Sequence, residues 1–216
     1  MIYLVRHGQT EFNLARRYQG ALDSPLTEHG LRQAERIGAL LEGLLDGAGW
    51  TMAASPQGRA RRTAEIINAR LGLPLGFDDR LREISLGEWD GLLIDEVVHK
   101  LPPGAGVWER QLHAPGGESF EAISARIADW LAEIGASGRR VVAVSHGMAG
   151  RVLRGLYGGF SRQAMLELDV PQDAVFRLAD GRIERIDCPA EAQRTPPTSP
   201  AQRLEGDRPP RPAKAG

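Results

Sequence analysis

Cysteine is almost missing from this chain, at one residue in 216, Cys188. A single thiol closes no internal disulfide and builds no thiolate-rich metal site, so the fold must rest on a hydrophobic core, and a reducing, cytoplasmic setting is the expectation. Long apolar runs are missing too. No stretch approaches the roughly 18 apolar residues of a membrane-spanning helix, and the opening MIYLVRHG meets an arginine at position 6, too early for a secretory signal. Neither membrane insertion nor export is expected. Nor does either sign of charge dominate: Lys+Arg 27 against Asp+Glu 28 leaves a net charge of -1. No global field gathers nucleic acid or an anionic membrane, and anion binding, if any, has to be local. What is present is a hydrophobic content of 42%, enough for one full-sized domain.

Three stretches carry helical periodicity. TEHGLRQAERIGALLEGLLDG puts Leu31, Ala34, Ile37, Leu41 and Leu45 on one face, with Thr27 as N-cap. SPQGRARRTAEIINARLG predicts a helix capped by Ser55, with Pro56 at its first helical position and Gly72 as its stop. SFEAISARIADWLAEIG aligns Ile123, Ile127, Trp130, Leu131 and Ile134, with Ser119 as cap and Gly135 as stop. Between them lie the short apolar runs IYLV, TMAAS and VVAVS, which read as strands buried on both faces. Such alternation predicts a three-layer α/β/α sandwich on a mostly parallel sheet. AVFRLADGRIERI, with Asp180-Gly181 between two runs, predicts a hairpin that adds antiparallel strands and makes the sheet mixed. Residues 188–216 hold 7 of the 14 prolines and no aromatic. They read as a solvated, Pro-rich tail after a domain spanning 1–187.

Two of the strands end alike, YLVRHG at Tyr3–Gly8 and VAVSHG at Val142–Gly147. Ligands of open parallel sheets sit beyond the carboxyl ends of the strands, so neighbouring strands would bring His7 and His146 side by side in that crevice. Each glycine is expected to allow a sharp turn and a close approach. One histidine at a strand end is ordinarily a hydrogen-bonded polar residue; two in matching motifs argue for a site. A metal centre is the competing reading, but Arg6 beside His7 would set a fixed positive charge against a cation and favours an anion instead.

LVRHGQTEFN, SPQGRARRTAE, LREISLGEWDG, GGESF and VVAVSHG, in that order, resemble the histidine phosphatase superfamily with its phosphoglycerate mutase-like fold. The resemblance implies that His7 attacks phosphorus, that Arg6, Arg59 and His146 hold the phosphoryl group, and that Glu83 protonates the leaving oxygen. It further places Asn13, Thr10, Gln19 and Gly20 against phosphate, Asn13 foremost. Chemically, the charge on a phosphoryl group calls for fixed donors around the nucleophile, and arginine's planar fork suits that task. A neighbouring phosphate dianion and partial burial would each favour the protonated form of Glu83. On composition alone Glu88 and Asp90 compete with it. Arg61 and Arg62 read as a solvated helix face, and His29, His99 and His113 have no motif support.

LPPGAGVWERQLHAPGG, with Trp108 and Arg110, is expected to form a lid, and loops of this kind carry specificity. Lys100 just before it and Arg110 within it are few basic residues, where the mutases similar to this chain carry more, so hydrolysis of small phosphorylated metabolites is favoured over phosphoryl transfer. RRYQGALDSPLTEHG points to the compact bacterial phosphatases within the superfamily. No metal or cofactor is implied. A metal-dependent hydrolase and an inactive binding relative are the alternatives from other classes. No motif specifies the ester or the oligomeric state.

Overall fold

The computed structural model describes residues 1–98 and 109–189. The chain runs β1 (Ile2–Arg6), α1 (Glu11–Leu14), α2 (Glu28–Leu44), β2 (Trp50–Ala54), α3 (Gly58–Leu71), β3 (Leu75–Phe77) and α4 (Ile94–Val98). After the undescribed segment follow α5 (Phe120–Ser137), β4 (Arg140–Ser145), α6 (Gly147–Gly158), α7 (Arg162–Glu167), β5 (Ala174–Ala179) and β6 (Arg182–Asp187). Short 3₁₀ turns occupy Asp79–Leu81, Gly87–Trp89 and Glu109–His113.

The six strands form one sheet in the order β3-β2-β4-β1-β5-β6. Pairings β3–β2, β2–β4 and β4–β1 are parallel, while β1–β5 and β5–β6 are antiparallel. The expected mixed, mostly parallel sheet is therefore present. Asp180 and Gly181 both have positive φ, the requirement of a type I′ turn, and they join β5 to β6 as the sequence predicts.

Alternation along each strand divides the core in two. Ile2, Leu4, Val141 and Ala143 face one layer with Ile123, Ile127, Trp130 and Leu153 of α5 and α6. Tyr3, Val5, Val142 and Val144 face the other with Ile37 and Leu41 of α2 and Ala64 and Ile67 of α3. The chain thus leaves β1 toward one face of the sheet and β4 toward the other. Where adjacent parallel strands send their connections to opposite faces, a crevice opens between their carboxyl ends. Here those strands are β1 and β4, and the residues at the crevice are His7 and His146.

Helix limits differ from the sequence reading in two places. α3 begins at Gly58 with Gln57 at the N-cap, not at Ser55-Pro56; the Ser55 oxygen accepts from the Gln57 N–H at 3.3 Å, ahead of the helix, and also contacts His146. α5 runs past Gly135 to Ser137 and stops at Gly138, whose φ of 62° is the left-handed cap conformation. Thr27 and Ser119 cap α2 and α5 as expected, each accepting a backbone N–H three residues on.

Candidate active site

Backbone pairing sets the site. The β1–β4 ladder ends at Arg6 opposite Ser145, and His7 N–H extends it by donating to the Ser145 carbonyl at 3.0 Å. The two imidazoles emerge together, ring centroids 5.2 Å apart, both nearly fully buried.

His7 Nδ1 lies 2.8 Å from the carbonyl oxygen of Gly8. A carbonyl only accepts, so Nδ1 carries the proton and Nε2 keeps its lone pair. Burial, then the cations Arg59 and Arg6, hold the pKa of His7 well below its ordinary 6.5, against the opposing effect of that hydrogen bond. His146 is depressed in the same way, by burial first, then by Arg59, His7 and Arg6.

Arg59 is fully buried as a side chain. Its terminal nitrogens donate to the Leu22 and Gly20 carbonyls at 3.0 and 2.9 Å and to Asp23 Oδ1 at 3.1 Å. Arg6 donates to the Val170 carbonyl at 2.6 Å, and burial draws its pKa down to about 10, still charged at neutral pH. Among the described residues, Arg6 Nε, Arg59 Nε and His146 Nδ1 are buried polar atoms without a hydrogen-bond partner. An unpaired buried donor costs about 1–3 kcal/mol, and an anion that accepts from it removes that cost.

Glu83 is half-buried at the N-terminus of α6, where its carboxylate accepts from the backbone of Met148 at 3.1 Å and Ala149 at 3.0 Å. Gln57 fixes it from the other side, accepting from Glu83 N–H at 2.8 Å. Of the competing acids, Glu88 is exposed, and Asp90 accepts from the backbone of Gly20 and Ala21.

A pocket of about 190 Å³ is walled by polar side chains of Arg6, His7, Asn13, Gln19, Glu83 and Arg151, among others, together with the apolar Ile84, Leu86, Ile94 and Met148. Arg59 and His146 do not line it; they adjoin it through His7. Thr10 and Gly20 are also off its wall. The Thr10 hydroxyl caps α1 and donates to Gln19 Oε1 at 2.7 Å, and the Gly20 carbonyl accepts from Gln57 and Arg59. Neither Gly8 nor Gly147 has a positive φ, so no sharp turn requires them. Close approach requires Gly8 alone, and to protein instead of a ligand: a Cβ there would lie 2.4 Å from the Gly30 carbonyl oxygen, whereas at Gly147 the nearest atom, Glu83 Oε2, would be 3.4 Å away, an ordinary contact.

Sequence reading missed three residues here. Arg151 is buried, lines the pocket and donates to the Leu168 carbonyl at 2.5 Å. Gln172 donates to the His7 carbonyl and to Asn13 Oδ1, each at 3.1 Å. Ser55 Oγ is 2.7 Å from His146 Nε2. Only HG-x₃-R spacing on a helix could have flagged Arg151; nothing local marks the other two. Arg61 and Arg62 are exposed, with Arg61 over the Phe77 ring. His29 is half-buried in α2 and His113 is exposed. His99, Lys100 and the first part of the expected lid, residues 101–108 with Trp108 among them, like residues 190–216 of the tail, lie outside the described residues. Among the described residues, no group of three His, Cys, Asp or Glu is arranged to hold a metal, and no helix is long and apolar enough to cross a membrane.

A Salmonella paratyphi C protein named "Probable phosphoglycerate mutase GpmB" is 39% identical over 195 residues, 86% of this chain and 84% of that protein. Among solved structures, Bacillus stearothermophilus YhfR superposes with a TM-score of 0.71 at 31% identity, covering 86% of this chain and 95% of that one. A mycobacterial glucosyl-3-phosphoglycerate phosphatase in complex with VO3 gives 0.71 at 31%, covering 82% and 92%. The family model described as "Histidine phosphatase superfamily (branch 1)" matches residues 2–182, and the chain belongs to that superfamily.

Proposed function

We propose that the chain hydrolyses phosphomonoesters of small metabolites through a phosphohistidine on His7. Family membership makes it a phosphoric monoester hydrolase; the observation that carries the finer reading is the state of His7. Its Nδ1–H is tied to Gly8, its Nε2 lone pair is available, and its pKa is held far enough down that it stays neutral at physiological pH.

In the first step the Nε2 lone pair forms an N–P bond as the ester P–O bond breaks. Arg6, Arg59 and His146 supply donors to the non-bridging oxygens, and Glu83 gives its proton to the leaving oxygen. In the second, water attacks phosphorus, the N–P bond breaks back to His7, and Glu83 recovers a proton from that water. Asn13 and Gln19 on the wall are assigned to phosphate contact, Thr10 and Gly20 to holding Gln19 and Arg59 in place. The mycobacterial relative's complex with VO3, a phosphate-like anion, supports such a site.

A second reading, phosphoryl transfer between positions of a phosphoglycerate, is favoured by the names of the Salmonella relatives. One experiment separates them: incubation of the full chain with a panel of phosphorylated metabolites, with and without chelator, alongside His7→Ala. Release of inorganic phosphate that resists chelator and is abolished in His7→Ala supports hydrolysis. Isomerised phosphoglycerate without phosphate release identifies a mutase, and turnover surviving His7→Ala removes the nucleophile.

A further inference from the structure

Among the described residues, the His146 ring makes a hydrogen bond at one of its two nitrogens. Nε2 is 2.7 Å from the Ser55 hydroxyl, whereas Nδ1 is buried with no partner among the described residues. Either tautomer could make the Ser55 contact, so the proton's position depends on where the hydroxyl hydrogen goes.

Ser55 itself is fully buried in the bend between β2 and α3. Its oxygen accepts from the Gln57 backbone N–H at 3.3 Å. Apart from His146, its contact with an acceptor is Gln57 Oε1 at 3.5 Å, at the limit of a hydrogen bond, and that oxygen already accepts from Glu83 N–H at 2.8 Å. Were His146 to donate from Nε2, the serine hydrogen would be left with the 3.5 Å contact, and the unpartnered Nδ1 would present a lone pair. With the hydroxyl donating to Nε2, every hydrogen on this side is used.

We infer that Ser55 is a positioning residue that donates to His146 Nε2 and thereby keeps the imidazole proton on Nδ1, making a neutral His146 a hydrogen-bond donor toward an oxyanion beside His7. The inference rests on the phosphatase reading for the identity of that anion, although the tautomer itself does not. The charged and titratable groups that act on His146 come from three elements: Arg6 and His7 at the end of β1, Arg59 of α3 and Arg126 of α5. The cations among them oppose an imidazolium, so a tautomer, not a second positive charge, is how this ring can donate at neutral pH.

Nitrogen-15 NMR of the histidine rings in the full-length wild-type chain reads the tautomer directly. A His146 spectrum with protonated Nδ1 and unprotonated Nε2, perturbed at Nδ1 by inorganic phosphate or vanadate, is the expected result; protonated Nε2 overturns the inference, whatever the chain hydrolyses. In Ser55→Ala, the Nε2–H form should appear, and kcat/KM on the best ester should fall by on the order of 10- to 100-fold at pH 7.5. Because an imidazolium carries both protons, the ratio of wild-type to variant kcat/KM should shrink as pH is lowered. A ratio independent of pH assigns Ser55 a structural role only and overturns the inference. Absence of hydrolysis by the wild-type chain would count against the functional reading alone, and if Ser55→Ala does not fold, the wild-type spectrum decides.

Discussion

Arg59 and Glu83 illustrate how far a residue's role depends on the atoms it has left over. Arg59 commits both terminal nitrogens to the 20–23 loop, a pattern that only a planar fork satisfies. Arg59→Lys keeps the charge and loses the fork; we expect kcat/KM to drop roughly 100-fold, with a stability loss of about 1.5–3 kcal/mol in urea titrations. Glu83 is held by the backbone of Met148 and Ala149 on one side and Gln57 on the other. Glu83→Gln removes the acid without changing shape. Turnover of alkyl phosphates, whose leaving groups need a proton, should fall far more than turnover of activated aryl phosphates; equal slowing of both would rule out the acid role. Both residues stood out in the sequence by motif, whereas Ser55 was read only as a helix cap and Gln172 and Arg151 not at all. Their partners are 91, 165 and 17 residues away, and no local pattern reports such contacts.

At the scale of elements, the turn after β1 is fixed from two directions. α2 packs Gly30 against Gly8 so closely that a methyl group at Gly8 would sit 2.4 Å from the Gly30 oxygen. Gly8→Ala should therefore displace one element from the other and destabilise by about 1–3 kcal/mol, measurable by denaturant unfolding. From the opposite side comes the α7–β5 connection. Arg151, Arg154 and Arg6 take the carbonyls of Leu168, Asp169 and Val170 in turn, and Gln172 reaches back to His7 and Asn13. Gln172→Ala should leave the fold intact and lower kcat about tenfold through a misaligned nucleophile; unchanged kcat would mean that the turn holds its geometry without it. Helix capping was legible where the cap is local, as at Thr27 and Ser119. It was misread at Ser55, whose oxygen accepts from Gln57 N–H just ahead of the first helical residue, Gly58.

On the scale of the whole molecule, two buried imidazoles make stability depend on pH. Both pKa values are lower in the folded chain than the ordinary 6.5. Below pH 6.5 the unfolded chain binds protons that the folded one refuses, so stability is fully present above that pH and is lost as the pH falls toward the folded-state values. Each ring contributes a slope of up to about 1.4 kcal/mol per pH unit. Unfolding midpoints between pH 7 and 5 should decline, and His146→Ala should flatten the decline; a flat wild-type profile would contradict burial of neutral rings.

The sequence alone determined the strand-helix alternation, the hairpin at Asp180-Gly181, the membership of a family by ordered motifs, and the types of residue at the site, because periodicity, turn chemistry and short motifs are local properties. Only the tertiary structure decided that β4 lies beside β1 and that Arg59, Ser55 and Gln172 converge around two histidines 139 positions apart. Those facts follow from sheet order and from the opposite exits of β1 and β4, which depend on how the two cores close over the sheet and not on any one segment.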